Sequence, residues 1–284
     1  MECLIHTDCL DVIQVEEVQE LKPVSLPLRL KPLIDDEYLN GRGFTEEFYE
    51  MFEVVIQLGA ILAVIVLFFH KLWPFSAKKT VEEKKNTWQL WFKVVVAVLP
   101  SAIIGLLLDD WMDAHFYNYV VVSIALIFYG IAFLFVEKTR KGNLLNSVDA
   151  IDWKTALFIG CFQCLSLIPG TSRSGSTILG ALLLGVSRSA GAEFSFFLAI
   201  PTMLGASALK LLKFIISGVG ITGLEVGILL VGCVVSFLVS LLVIKKLMKY
   251  VKNHSFATFG NYRIVLGALV LAYFLLFKLL PMYS

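Results

Sequence analysis

The chain has few charged residues: only 17% of its 284 residues are Asp, Glu, Lys or Arg, and no hydrophilic block is long enough for a second domain. A soluble domain carries about 25% charged residues, whereas this sequence is 58% hydrophobic with a mean hydropathy of +0.80. The composition therefore excludes a soluble globular protein. It predicts a single integral membrane domain over residues 1–284.

Signals for secretion and for metal binding are also scarce. The opening stretch MECLIHTDCLDVIQVEEVQELK is mixed and acidic, without the basic–apolar–small pattern of a signal peptide. The five cysteines are an odd number, and the CxxC pair Cys161 and Cys164 has no second pair or histidine cluster to complete a zinc site. We expect reduced, packed thiols. The formal net charge is +1, and we expect no nucleic-acid partner.

Six apolar stretches are each near the ~20 residues that cross a bilayer: 52–69, 88–108, 116–136, 194–216, 224–244 and 263–280. Lysine and arginine are concentrated in the connections 70–87, 137–154 and 245–252 and are absent from 109–115 and 217–223. By the positive-inside rule the first three connections are cytoplasmic and the last two lie outside. Both chain termini are then predicted to be extracytoplasmic.

This topology requires residues 155–193 to cross the membrane an even number of times or not at all. Because the connection before this segment is cytoplasmic and the span 194–216 must end outside, the segment has to leave the cytoplasmic face and return to it. Its apolar halves, 155–168 and 178–186, are too short to span singly and flank the polar stretch LIPGTSRSGST. Non-helical backbone at membrane depth survives only inside protein or beside a wet cavity. We therefore predict a re-entrant helix–loop–helix over 155–186.

The topology also limits residues 1–45. Because the span 52–69 must begin outside, these residues lie outside or enter the membrane and return. They contain the short helical pattern VEEVQELKPVS, and the following FTEEFYEMFEVVIQLGAILAV (44–64) echoes AGAEFSFFLAIPTMLGASAL (190–209). We predict an all-α polytopic membrane protein with about six transmembrane helices and two re-entrant helix–loop–helix elements in an inverted repeat, an arrangement that places a site near the bilayer midplane.

The polar stretch combines groups that suit an anion. A helix N-terminus with clustered hydroxyls favours negative charge, and Arg173 adds a planar fork of donors for phosphate oxygens. An ionisable group at membrane depth indicates a functional site. The alternative is an N-cap and turn that contain an arginine paired with a structural glutamate. The candidate binding residues are Gly170, Ser172, Arg173, Ser174 and Thr177.

A second candidate site lies near the N-terminus. Glu16 and Glu20 are four residues apart, which places them on one helical face just before Pro23 and Ser25. Two carboxylates can bind a divalent cation, or one of them can stay protonated for acid–base work. Because this helix is polar on most sides, a solvated face is the alternative.

Four segments carry a resemblance to a known family: PGTSRSGST (169–177), GCFQCLSLIPG (160–170), GVSRSAGAEFSFFLAIPTMLGA (185–206) and FEVVIQLGAILAV (52–64). They resemble the bacterial undecaprenyl-diphosphatases, also called bacitracin-resistance proteins. The resemblance implies removal of one phosphate from undecaprenyl diphosphate, giving the monophosphate carrier that is reused for cell-wall polymers. It also implies a divalent cation (Mg²⁺ or Ca²⁺), a bacterial cytoplasmic membrane location with a site opening outward, and resistance because bacitracin sequesters the lipid diphosphate.

The two motifs of this family map onto the two candidate sites. The resemblance implies catalytic roles for Glu16, Glu20 and Arg173, with both glutamates also holding the metal. It implies substrate binding by Ser25, Gly170, Ser172, Arg173, Ser174 and Thr177. After Ser25 the sequence departs from the family: where the family has Ser-Thr-Gly-His, the chain reads LPLR at 26–29. Residues 1–45 are thus a divergent or frameshifted stretch, or this member lacks full activity.

Two other functions stay open on the sequence alone. Inverted repeats with opposed re-entrant loops are transporter architecture, so a flippase for a phosphorylated lipid is one. A catalytically impaired homologue that binds lipid diphosphate without turnover is the other. The sequence does not fix the attacking group (water or a serine), the lipid chain length or the oligomeric state. We expect membrane lipids around the spans, and a homodimer is compatible with the sequence.

Overall fold

The computed structural model describes residues 46–116, 118–139, 142, 145–217 and 220–279. Apart from one isolated bridge, all regular structure in these ranges is helical. The helices are α1 (Glu46–Leu67), α2 (Phe69–Leu72), α3 (Val81–Phe116), α4 (Tyr119–Thr139), α5 (Trp153–Gln163), a 3₁₀ turn (Cys164–Leu167), α6 (Arg173–Leu183), α7 (Arg188–Ser217), α8 (Gly223–Asn253) and α9 (Ala257–Leu279).

Within these ranges, five helices are long and apolar enough to cross a membrane. They are Val81–Leu108 in α3, Tyr119–Thr139 (α4), Arg188–Ile216 in α7, Gly223–Asn253 (α8) and Ala257–Leu276 in α9. The remaining predicted span, 52–69, is α1, a 22-residue helix whose described apolar part, Met51–Leu67, is shorter. The prediction of an all-α polytopic membrane protein is confirmed.

Helix α3 begins at Val81, well before the predicted span at 88. The cause is a capping box: the Thr80 hydroxyl accepts a hydrogen bond from the Glu83 backbone N–H at 3.2 Å, and the Glu83 carboxylate accepts one from the Thr80 N–H at 2.7 Å. The apolar pattern alone does not reveal this polar first turn.

The long helices pack in pairs, α4 against α9 and α1 against α8, while α7 contacts α1, α3, α6 and α8. The α4–α9 pair crosses at two glycines. A Cβ on Gly130 would lie 2.6 Å from the Gly260 carbonyl oxygen, and a Cβ on Gly260 would lie 2.7 Å from the Gly130 carbonyl oxygen. Small residues at such crossings let the backbones of membrane helices approach closely.

Helices α5 and α6 form the helix–loop–helix expected over 155–186. Each has 11 residues, about 16 Å at 1.5 Å per residue, against about 30 Å of hydrocarbon. The backbone N–H of Leu145 donates to the Gly185 carbonyl at 3.2 Å, and that of Ser187 donates to the Leu145 carbonyl at 2.8 Å. The two ends of this element therefore lie side by side, and its return to the same membrane face stays a prediction.

The first predicted re-entrant region, residues 1–45, lies outside the described residues. The inverted repeat and the single-domain assignment for 1–284 therefore stay predictions.

Candidate functional site

The loop between the half-helices is fixed at its two ends. Gly170 has φ +81°, the left-handed region that favours glycine, and a Cβ there would lie 2.6 Å from the Val122 carbonyl oxygen of α4. Ser172 is the N-cap of α6, because its Oγ accepts a hydrogen bond from the Gly175 N–H at 3.2 Å. The loop is thereby pressed against α4, and α6 starts at Arg173.

The loop opens onto a cavity between α4, α6, α7, α8 and α9, whose empty volume, including its open mouth, is about 790 Å³. Its polar wall consists of Ser172, Ser174, Ser195 and Arg263, and most of the other lining side chains are apolar or aromatic. The hydroxyls of Ser172 and Ser174 lie 3.1 Å apart. A cavity with one polar end and apolar walls suits an amphiphilic ligand.

Thr177 is buried in the first turns of α6 and contacts Ser195 of the cavity wall without lining the cavity itself. Its Oγ1 lies 2.6 Å from the Oγ of Ser195 and donates to the backbone carbonyls of Arg173 and Ser174 at 3.1 Å. Ser195, which lines the cavity, is therefore held in place by Thr177.

Arg173, the first residue of α6, is half-buried and does not line this cavity. Among the residues that the structure describes, its guanidinium has no hydrogen-bond or ion-pair partner. The described residues thus offer no glutamate for the alternative in which this arginine is a paired turn residue.

Sequence reasoning missed Arg263 of α9. Its side chain is buried, with 6% exposed, and its Nη2 donates to the Gly170 carbonyl at 2.7 Å. Its Cζ lies 5.8 Å from the centroid of the Tyr129 ring, a cation–π distance. Arg263 stands at the first position of the predicted span 263–280, and an ionisable residue in such a segment indicates a functional site.

A second polar set, which we call the basal ion pairs, lies around the start of α7, just after α6 ends. Lys71 Nζ pairs with Glu193 Oε1 at 2.5 Å, and Arg188 Nε donates to Glu137 Oε1 at 2.9 Å. The same Glu137 oxygen accepts the backbone N–H of Phe256 at 2.9 Å. These pairs tie α2, α4 and the α8–α9 turn to the start of α7.

Gln163, an amide in an apolar run, joins helices. It is 1% exposed, and its Nε2 donates to Ser101 Oγ of α3 at 2.6 Å and to Thr202 Oγ1 of α7 at 3.3 Å. Such interhelical hydrogen bonds are typical of polar side chains within membrane helices.

A family model described as "Bacitracin resistance protein BacA" matches residues 20–269, most of the chain. The chain belongs to this family. The matched range includes 26–29, where the sequence departs from the family's first motif. The resemblance inferred from the motifs is confirmed.

Curated relatives of this family cover nearly the whole chain. An undecaprenyl-diphosphatase of Lactiplantibacillus plantarum is 53% identical over 92% of this chain and 95% of its own length. An undecaprenyl-diphosphatase of Enterococcus faecalis is 52% identical over 92% of this chain and 94% of its own. Undecaprenyl-diphosphatase 1 of Clostridioides difficile is 55% identical over 92% of this chain and 93% of its own.

The sequence predicted a second group of site residues near the N-terminus. Glu16, Glu20 and Ser25 lie outside the described residues. Within the described part of the chain, no group of three or more His, Cys, Asp or Glu side chains could hold a metal ion. The described polar groups at the loop are hydroxyls, backbone N–H groups and guanidiniums, a donor set that suits an anion and not a cation.

Proposed function

We propose that this chain hydrolyses undecaprenyl diphosphate to undecaprenyl phosphate and inorganic phosphate, which recycles the lipid carrier for cell-wall polymers and confers bacitracin resistance. The observation that carries the proposal is the cavity at the loop, where hydroxyls and a guanidinium meet apolar walls. A polar end for phosphate and an apolar body for an isoprenoid match the two parts of this substrate. Family membership and the names of the curated relatives agree with it.

The second motif holds the diphosphate in this proposal. Ser172 and Ser174 contact it from the cavity wall, Gly170 shapes the loop, and Thr177 acts through Ser195. The positive end of the α6 dipole adds to the anion site. Arg173, whose guanidinium has no partner among the described residues, is the proposed catalytic cation of the loop.

In the proposed reaction the bond between the bridging oxygen and the terminal phosphorus breaks. The terminal phosphorus gains the oxygen of one water molecule overall and leaves as inorganic phosphate, while the bridging oxygen stays on undecaprenyl phosphate. Negative charge grows on the phosphoryl and leaving oxygens, and fixed donors aimed at those oxygens lower the barrier. Arg173, at the N-terminus of α6, is the proposed donor.

Glu16, Glu20 and Ser25 complete the proposed site from the N-terminal region. The two glutamates would act in catalysis and hold a divalent cation, Mg²⁺ or Ca²⁺, and Ser25 would bind substrate. Oxygen ligands of this kind suit both ions. Such an ion supplies positive charge to phosphate oxygens when bound.

We place the protein in the bacterial cytoplasmic membrane, with both termini and the mouth of the site on the extracytoplasmic side. The uneven distribution of lysine and arginine between the connections supports this orientation. On that side bacitracin would compete by sequestering the substrate. Membrane lipids surround the apolar spans.

The test is phosphate release from undecaprenyl diphosphate by the purified full chain in proteoliposomes, with transbilayer movement of the lipid followed in parallel. We expect release of one phosphate per lipid. Lipid movement without release would instead identify a flippase.

Binding without turnover would identify an impaired homologue, the alternative that the departure at 26–29 favours. In that case, restoring Ser-Thr-Gly-His at 26–29 should recover phosphate release if the rest of the fold is intact.

A further inference from the structure

We propose that Arg263 is a second phosphate-binding guanidinium of this site, and that it binds the phosphate that stays attached to the lipid. This inference rests on the proposed function, because it assigns one part of the same substrate to one residue.

The first argument is where Arg263 lies relative to the loop. Its Nη2 donates to the Gly170 carbonyl at 2.7 Å, which fixes the guanidinium against the loop. A Cβ built on Gly175 would lie 3.4 Å from its Nη1 and 3.3 Å from the Cβ of Ser172. The guanidinium therefore packs against the first turn of α6, beside the serine that caps this helix.

The second argument is how the guanidinium is held. Tyr129 lies under it at 5.8 Å, measured from Cζ to the ring centroid, and the Ser176 hydroxyl donates to the Tyr129 hydroxyl at 3.4 Å. A guanidinium carries its N–H donors in a rigid fork that matches phosphate oxygens, and the Gly170 carbonyl fixes its position through Nη2. A cation fixed from several sides is preorganised for an anion, since little side-chain freedom is lost on binding.

The third argument is the division of the two arginines between surfaces. Arg263 lines the cavity together with Ser172, Ser174 and Ser195, whereas Arg173 does not line it. The cavity that Arg263 lines also has the apolar walls, from α4, α7, α8 and α9, that suit an isoprenoid. The phosphate nearest to the isoprenoid should thus contact Arg263, which leaves Arg173 for the terminal phosphate.

The assignment predicts that Arg263 recognises prenyl monophosphates as well as diphosphates. We would measure the Kd of farnesyl phosphate, which is not turned over, and of farnesol, which lacks the phosphate, with the full chain in detergent micelles. Arg263→Gln should weaken farnesyl phosphate binding by about tenfold or more, the scale of a lost charge-assisted hydrogen bond. Farnesol binding should stay within about twofold.

Two further variants keep the test decisive. Arg263→Lys retains the charge but loses the fork, so we expect a loss of about threefold for farnesyl phosphate only. Lys210→Gln is the matched control, because it removes a cation of α7 that pairs with Glu53 at 3.3 Å and does not line the cavity. It should leave both affinities unchanged. Thermal unfolding without ligand reports whether each variant is folded.

The proposal is overturned if Arg263→Gln keeps its affinity for farnesyl phosphate, or if it loses phosphate and farnesol binding equally, as a purely structural residue would. If Arg263→Gln does not fold, an unchanged Kd in Arg263→Lys overturns it.

A wild-type chain that binds farnesyl phosphate through Arg263 but releases no phosphate from undecaprenyl diphosphate contradicts the proposed activity and supports this inference. A wild-type chain that releases phosphate, with unaltered farnesyl phosphate binding in Arg263→Gln, supports the proposed activity and overturns this inference.

Discussion

The charged side chains at the loop and those of the basal ion pairs differ in the partners that they contact. At the base, Arg188 and Lys71 each pair with a glutamate of another helix. At the loop, Arg173 has no such partner among the described residues, and Arg263 donates to a backbone carbonyl. Paired charges stabilise helix positions, whereas a cation beside hydroxyls and N–H groups is suited to an incoming anion.

Charge alone therefore does not mark the site. Arg188 and Arg173 are both arginines at the first position of a helix in the same half of the chain. Their partners differ: Arg188 pairs with the Glu137 carboxylate of α4, whereas Arg173 pairs with no carboxylate among the described residues. Substitutions at the base should change stability, and substitutions at the loop should change turnover.

The largest effect on stability should come from Arg188→Ala. The change leaves the buried Glu137 carboxylate without its guanidinium, and we expect a loss of about 3 kcal/mol in the free energy of unfolding. The rate of phosphate release per folded molecule should stay within about twofold. Thermal unfolding and initial rates on the same preparation measure both. A large fall in rate with unchanged stability would contradict the distinction between base and loop.

Gly170→Ala should destabilise the protein by about 2 kcal/mol and lower the rate, because it combines a left-handed φ with a Cβ that meets Val122. Gly142→Ala is the matched control: Gly142 has φ +107°, but nothing lies within 4 Å of its Cβ position. It should cost about 1 kcal/mol without affecting the rate. Equal unfolding temperatures for the two variants would show that the contact with α4 is unimportant.

Ser172→Ala should cost about 1 kcal/mol as a lost N-cap and also lower kcat/KM by about tenfold, because the same hydroxyl lines the cavity. Asp152→Ala removes the equivalent cap of α5, where the carboxylate accepts the Thr155 N–H at 2.9 Å. It should cost similar stability and leave kcat/KM unchanged. A similar loss of kcat/KM in both variants would argue that capping alone matters.

The Asp152 cap adds a dependence on pH. Hydrogen bonds from the Thr155 hydroxyl and then from its backbone N–H lower the pKa of this carboxyl. The cap therefore contributes its stability above the pKa of the unfolded chain and loses it as the pH falls through the lower folded value. The stability difference between wild type and Asp152→Ala should shrink in acid, whereas that of Ser172→Ala should not.

The smallest effect should come from Thr177→Val, which removes the hydroxyl that holds Ser195. We expect a fall of about threefold in kcat/KM, since Thr177 acts only through its neighbour. Ser195→Ala should match it. The double variant should lose no more than either single variant, and additive losses would contradict the linkage.

The sequence predicted the features that follow from length and charge. Apolar stretches and lysine placement predicted an element over 155–186 that returns to its starting face. In the structure α5 and α6, with the bridge between Leu145 and Val186, form a helix–loop–helix there, and its return to one membrane face stays a prediction. The hydroxyls and the arginine of the loop were predicted as site residues because a polar run in an apolar chain is conspicuous.

The partners of the loop were not predictable in the same way. Arg263 and Ser195 come from helices far along the chain, and only the packing of α9 and α7 brings them to the cavity. Nothing in the local sequence of Ser195 distinguishes it from other small polar residues in membrane helices. The early start of α3 was missed because a capping box lies outside any apolar pattern.

In this account the arginines at the loop bind phosphate, whereas the basal ion pairs stabilise the packing of the helices. Arg173→Ala separates these roles when its initial rate of phosphate release from undecaprenyl diphosphate is compared with that of wild type at subsaturating substrate. We predict a fall of about 100-fold or more with an unchanged unfolding temperature. A variant that retains the full rate would contradict the assignment of Arg173 and, with it, the role given to the loop.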